Sequence, residues 1–77
     1  VDRPHLRAAL RVAGVPDGYY RIEGVHEPVP PPTDFLFLRR GSGDVWETGA
    51  FERGTYEVLA RHPDEESACA HLLALLV

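Results

Sequence analysis

Residues Val45–Arg61, VWETGAFERGTYEVLAR, decide the fold. Two β-prone runs, Val45 to Glu52 and Thr55 to Arg61, flank Arg53-Gly54. A two-residue loop ending in glycine joins antiparallel strands and sets their register. Glu52 then faces Thr55, Phe51 faces Tyr56, and Gly49 faces Val58. Strand side chains alternate between faces, so Phe51, Tyr56 and Val58 share one side, which is expected to be the core. Trp46, Thr48 and Ala50 fall on the other side with Glu57 and Leu59, a mixed face expected to be partly exposed.

Upstream, Gly41-Ser42-Gly43-Asp44 makes a turn, preceded by Phe35 to Arg39, a strand apolar on both faces. Before it, His26 to Thr33 carries Pro28, Pro30, Pro31 and Pro32. Prolines fix φ and favour extended polyproline geometry, so this segment is expected to be a stiff crossover loop and not a strand. Tyr19 to Val25 alternates Tyr20 and Ile22 with Arg21 and Glu23 as a half-buried first strand. The chain opens with a helix from about Pro4 to Ala13. Asp2 caps it, Leu6, Ala9, Leu10 and Ala13 line one face, and Gly14 followed by Pro16 stops it.

Downstream, His62 is expected to cap a last helix with Pro63 in its first turn, and Asp64, Glu65 and Glu66 complement the helix dipole. Ala68, Cys69, Leu72, Leu73, Leu75 and Leu76 form a broad apolar stripe. The expected architecture is α+β in the order α-β-β-β-β-α: an antiparallel meander sheet packed by N- and C-terminal helices, one domain over residues 1–77.

Composition narrows the function classes. The formal net charge of −4 disfavours a nucleic-acid binder, whose affinity comes largely from neutralising phosphates, and suits a basic partner. All eight basic residues are Arg, while Lys, Met, Asn and Gln are absent; this usage reflects GC-rich codons and points to a high-GC bacterium. The one cysteine, Cys69, forms no internal disulfide, which fits a reducing compartment. The longest apolar run, Leu72 to Val77, is too short to cross a bilayer, and the start lacks an export pattern, so a cytoplasmic protein without membrane contact is expected. Val1 in place of Met reads as a processed or trimmed start.

No residue set reads as catalytic, metal-binding or cofactor-binding. His5, His26, His62 and His71 are scattered over helices and strand ends and are expected to be surface or capping residues. Cys69 and His71 lie two apart on a helix and point to different faces. Cys69 itself reads as a small core residue. Gly41-Ser42-Gly43 has no following Lys and joins strands, unlike a phosphate loop. The carboxylates Asp44, Glu47, Glu52 and Glu57 have little wall around them from which to build a cleft. Aromatic and arginine side chains are the usual anchors of protein interfaces, and Trp46 is either such an anchor or part of the core.

The segment Leu10 to Tyr20 (LRVAGVPDGYY), Ile22-Glu23-Gly24 before the proline loop, Phe35 to Arg40 (FLFLRR), Trp46-Glu47 with Phe51-Glu52-Arg53-Gly54, and the acidic helix start with Ala68-Cys69 and Leu72-Leu73 together resemble small actinobacterial immunity proteins. These are encoded beside polymorphic toxins, including toxins with NAD-hydrolysing domains. The resemblance spans nearly the whole chain and implies binding and neutralising of a partner toxin without catalysis, and it carries over no catalytic residues. The expected function is therefore a non-enzymatic protein-binding module with no cofactor. Arg39, Trp46, Glu47 and Glu57 are its contact residues, and a basic toxin domain is the partner its charge suits. A small homodimerising or regulatory domain is the alternative. A double-stranded-RNA-binding module has a partly similar element order, but the acidic start of the last helix argues against it.

Overall fold

The computed structural model describes residues 2–77; the reading of Val1 as a processed start lies outside the described residues. Asp2 accepts the His5 backbone N–H at 3.0 Å and opens α1 (Arg3–Val12), with Pro4 in the first turn where its missing N–H costs nothing. Beyond Gly14 the Val15 N–H returns to the Leu10 carbonyl at 3.0 Å, which closes the helix end. A short 3-10 turn (Asp17–Tyr19) leads to β1 (Tyr20–Ile22), β2 (Phe35–Arg40), β3 (Trp46–Glu52), β4 (Thr55–His62) and α2 (Glu65–Leu76). The element order and the α+β class are those expected. No helix among the described residues is long and apolar enough to cross a membrane.

The sheet runs β1-β2-β3-β4, and β2–β3 and β3–β4 are antiparallel. Arg53 and Gly54 both take positive φ, 51° and 82°, as a type I′ turn requires, and the register Glu52↔Thr55, Phe51↔Tyr56, Gly49↔Val58 is the one expected. One pairing departs from a meander: β1 is parallel to β2, with Tyr20 opposite Leu36 and Ile22 opposite Leu38. Residues 23–34 explain it. A tight antiparallel turn needs left-handed or turn residues, whereas a proline-stiffened segment of about a dozen residues is the length at which a chain returns to start a parallel strand. β1 is also shorter than expected, because Ile22 and His26 exchange backbone hydrogen bonds of 2.8 Å as the chain doubles back.

Two further expectations are corrected. α2 begins on Asp64, which accepts the Ser67 N–H at 2.7 Å, so His62 is the last residue of β4 and not the cap. A carboxylate is the better acceptor for a helix start. The sheet face packed by the helices is the Trp46/Thr48 face. Leu6 and Leu10 of α1 and Ala68, Cys69 and Leu72 of α2 enclose Tyr20, Ile22, Leu38 and Trp46, with Thr48 fully buried beside them. Small Thr48, Ala68 and Cys69 let α2 come close, while the other face is already filled by rings stacked on one another.

Arg3 ties α1 to α2, to β3 and to the turn after β1. Its backbone N–H and Nε donate to Glu65 Oε2 at 2.7 and 3.2 Å, its Nη1 donates to the Glu23 carbonyl at 2.8 Å, and its guanidinium lies 5.1 Å from the Trp46 ring centre. Because Glu65 keeps about a third of its exposure, the ion pair itself contributes little, and the geometry matters more than the charge.

Candidate protein-binding surface

The face turned away from the helices is built by strand alternation. Phe35, Phe37 and Arg39 of β2, Glu47, Gly49 and Phe51 of β3, and Tyr56, Val58 and Arg61 of β4 share it. Phe35 stacks on Phe51 with centroids 4.9 Å apart, and Tyr56 meets Phe37 edge-on at 5.2 Å and Phe51 at 4.6 Å. The Arg39 guanidinium sits 4.9 Å from the Phe37 ring and 5.1 Å from that of Tyr56. Phe37 is thereby sealed, while Tyr56 remains 44% exposed.

Arg39 Nε donates to Glu47 Oε1 at 2.9 Å, and Arg61 Nε donates to Glu47 Oε2 at 3.3 Å. The Arg39 hydrogen bond is the main reason the Glu47 carboxyl is held below the usual glutamate range, with Arg61 adding to it. Glu47 therefore stays ionised and clamps both guanidiniums. Arg61 is two-thirds exposed at 68% and presents most of its donors outward.

A bulge separates this face from simple alternation. Thr48 pairs with Ala60 but Gly49 pairs with Val58, so Leu59 is the extra residue, half exposed at 51%. Beyond it Ala60 and His62, not Leu59, join the Thr48 side. A Cβ on Gly49 would overlap the Glu57 carbonyl oxygen and stand 2.8 Å from Phe37 Cζ, so glycine is what lets β4 approach here.

No family model, curated protein or solved structure matches this chain. The surface must therefore be read from its own chemistry.

The four residues expected to make contact do not form one patch. Arg39 and Glu47 are together on the uncovered face. Trp46 is core: it is 8% exposed, with the Arg3 and Arg40 guanidiniums 5.1 and 5.6 Å from its ring. Glu57 projects to the opposite side, where with Asp34, Glu52, Arg53 and Thr55 it lines an open hollow of about 460 Å³. A second, more apolar hollow of about 250 Å³ runs round the sheet end between Tyr19, Phe35, Leu36, Phe51 and Leu76. Phe51, Tyr56 and Arg61 were not expected at the surface; exchange of the two sheet faces hid the first two.

Of the four histidines, His5 is the surface residue expected, and the other three are not. His26 is 9% exposed, packs on Tyr20 at 4.7 Å and lies with Nε2 2.9 Å from the Asp17 carbonyl, which can only accept. His62 Nε2 and His71 Nδ1 lie 3.0 and 2.7 Å from Thr48 Oγ1. Among the described residues no group of three or more His, Cys, Asp or Glu side chains is placed to hold a metal ion.

Proposed function

We propose that this chain is a non-catalytic protein-binding module of the immunity type, which neutralises a partner toxin by covering it. The observation that carries this reading is the uncovered sheet face, where Tyr56, 44% exposed, and partly buried Phe51 adjoin the Arg39–Glu47–Arg61 cluster. A rigid aromatic platform beside preorganised guanidiniums is what an interface hot spot requires, because little side-chain entropy is left to lose on binding. The net charge of −4 supports a basic partner, since long-range attraction governs encounter while the aromatic face supplies contact. The acidic hollow of Asp34, Glu52 and Glu57 lies across the same β3–β4 hairpin and adds to that field.

Co-expression with the product of the adjacent gene tests this. Growth should be rescued by the wild-type chain and not by Tyr56→Ala combined with Arg61→Glu, a variant whose retained fold is checked by Trp46 fluorescence because Tyr56 also covers Phe37. If the neighbouring product is harmless alone, or remains toxic beside the wild-type chain, the reading fails.

A further inference from the structure

Thr48 is fully buried, and its hydroxyl bridges two elements that no backbone ladder joins. His62 Nε2, at the end of β4, is 3.0 Å from Oγ1, and His71 Nδ1, on α2, is 2.7 Å from it, with the two rings 5.1 Å apart. A hydroxyl has a single proton. It can donate to one bare ring nitrogen while accepting from one N–H, so two neutral imidazoles satisfy it completely. One imidazolium and one neutral imidazole satisfy it as well. Two imidazoliums do not: both would donate, and the Thr48 proton would lose its acceptor inside a buried site beside two like charges.

We propose that Thr48, His62 and His71 form a one-proton latch between the sheet and α2, closed with no proton or one proton added to the neutral pair and opened by the second. The surrounding charges fit this role. Burial first, then the charge of His71, hold His62 below the ordinary histidine value, and Asp64 at the helix start opposes them. Arg61 next to His62 is turned to the other sheet face with Glu47, and Glu65 is engaged by Arg3 of α1. Trp46, opposite His62 on β3, is uncharged.

The direction with pH follows. The unfolded chain takes up protons at the ordinary histidine value of 6.5, whereas the folded latch resists the second proton. Its stabilisation is complete above that value and is lost as pH falls through the lower folded value. Each additional proton bound by the unfolded state raises the unfolding constant by up to about tenfold per pH unit. The lowered carboxyls of Asp2, Glu47 and Asp64 act in a separate range, below their ordinary values of 3.8 and 4.5.

The test is urea unfolding of the full chain between about pH 7 and pH 5, comparing wild type with His71→Gln, whose amide keeps hydrogen-bonding capacity without titrating. Wild type should lose stability over this range and His71→Gln should lose less, keeping only the part that burial of His62 causes. Parallel losses in the two proteins would overturn the latch. Should His71→Gln not fold, long-range proton–nitrogen NMR spectra of wild type decide. At neutral pH, one of His62 Nε2 and His71 Nδ1 should carry a proton and the other be bare, and the two rings should titrate in coupled steps. Like protonation at both nitrogens, or independent titration, would refute it.

Discussion

Replacing Gly49 with Ala puts a methyl group where β3 has no room for one. Its Cβ would overlap the Glu57 carbonyl oxygen and lie 2.8 Å from Phe37 Cζ. The Phe37 ring is fully buried under Tyr56 and Arg39, and the carbonyl is backbone, so neither contact is relieved by swinging a flexible side chain. β4 must move away at the bulge. Overpacking of this kind costs about 1–3 kcal/mol, and loss of one or two ladder hydrogen bonds adds about 1 kcal/mol each. Against this, alanine reduces the entropy of the unfolded chain relative to glycine by about 0.4–1 kcal/mol. The net loss is about 1–5 kcal/mol, a large part of the roughly 4–12 kcal/mol expected of a domain this size.

The buried Trp46, the sole tryptophan, reports unfolding by its fluorescence. With a urea slope of about 1 kcal/mol per molar for so small a domain, the midpoint should fall by at least about 1 M and by up to about 5 M. Gly18→Ala is the control. Its nearest foreign atom would be Pro32 Cγ at 4.0 Å, an ordinary contact, so its effect should stay within about 0.5 kcal/mol. If Gly49→Ala unfolds at the wild-type midpoint, β3 and β4 do not approach as described and the bulge is misplaced.

Leu72→Ala empties a fully buried site under α2 and should cost about 2–5 kcal/mol in the same assay, whereas an effect below about 1 kcal/mol would mean α2 is not docked on this face. The Cys69 thiol, pushed up to about 11 by burial and then by the charge of Glu65, should resist a disulfide reagent at mildly alkaline pH until urea unfolds the chain; immediate native labelling would contradict its burial. Glu47 has a lowered carboxyl value, so its contribution to stability is present above the ordinary 4.5 and disappears as pH falls through the folded value. Glu47→Gln should accordingly flatten the acid limb of the stability profile, and an unchanged limb would dissociate Glu47 from it.

Local chemistry was readable along the chain because it depends on neighbours in sequence. Asp2 as cap, Gly14 as stop, and Arg53-Gly54 as a two-residue turn each specify their own geometry, and the hairpin register from Glu52 to Gly49 follows from the turn alone. The parallel pairing of β1 was not readable in the same way. The proline run shows that the segment is stiff, but not that it returns the chain to the same end of the sheet. His62 misled for a related reason: histidine before proline looks like a helix entrance, and its true partner, Thr48, lies fourteen residues away.

The surface residues were harder because their exposure depends on which face the helices choose. β2 is apolar on both sides, so Phe35 and Phe37 and their neighbours Leu36 and Leu38 are equally acceptable as core by hydropathy. Alternation on β3 and on β4 up to Val58 then left two assignments open, and the pair of rings Phe51 and Tyr56 invited the wrong one. Size favours their own face for a different reason: four rings and Arg39 cover one another, whereas Thr48, Ala68 and Cys69 leave space that only a helix can fill. One trace of the actual arrangement was present in the sequence. Gly49 interrupts an otherwise β-prone run, and an isolated glycine within a strand marks a bulge or a close backbone approach. Following that signal would have taken Leu59 out of the alternation and moved His62 to the Thr48 side, where His71 could meet it. The extra residue that Gly49 allows thus couples the two faces, since it turns Arg61 toward Glu47 beside the aromatic platform and His62 toward Thr48.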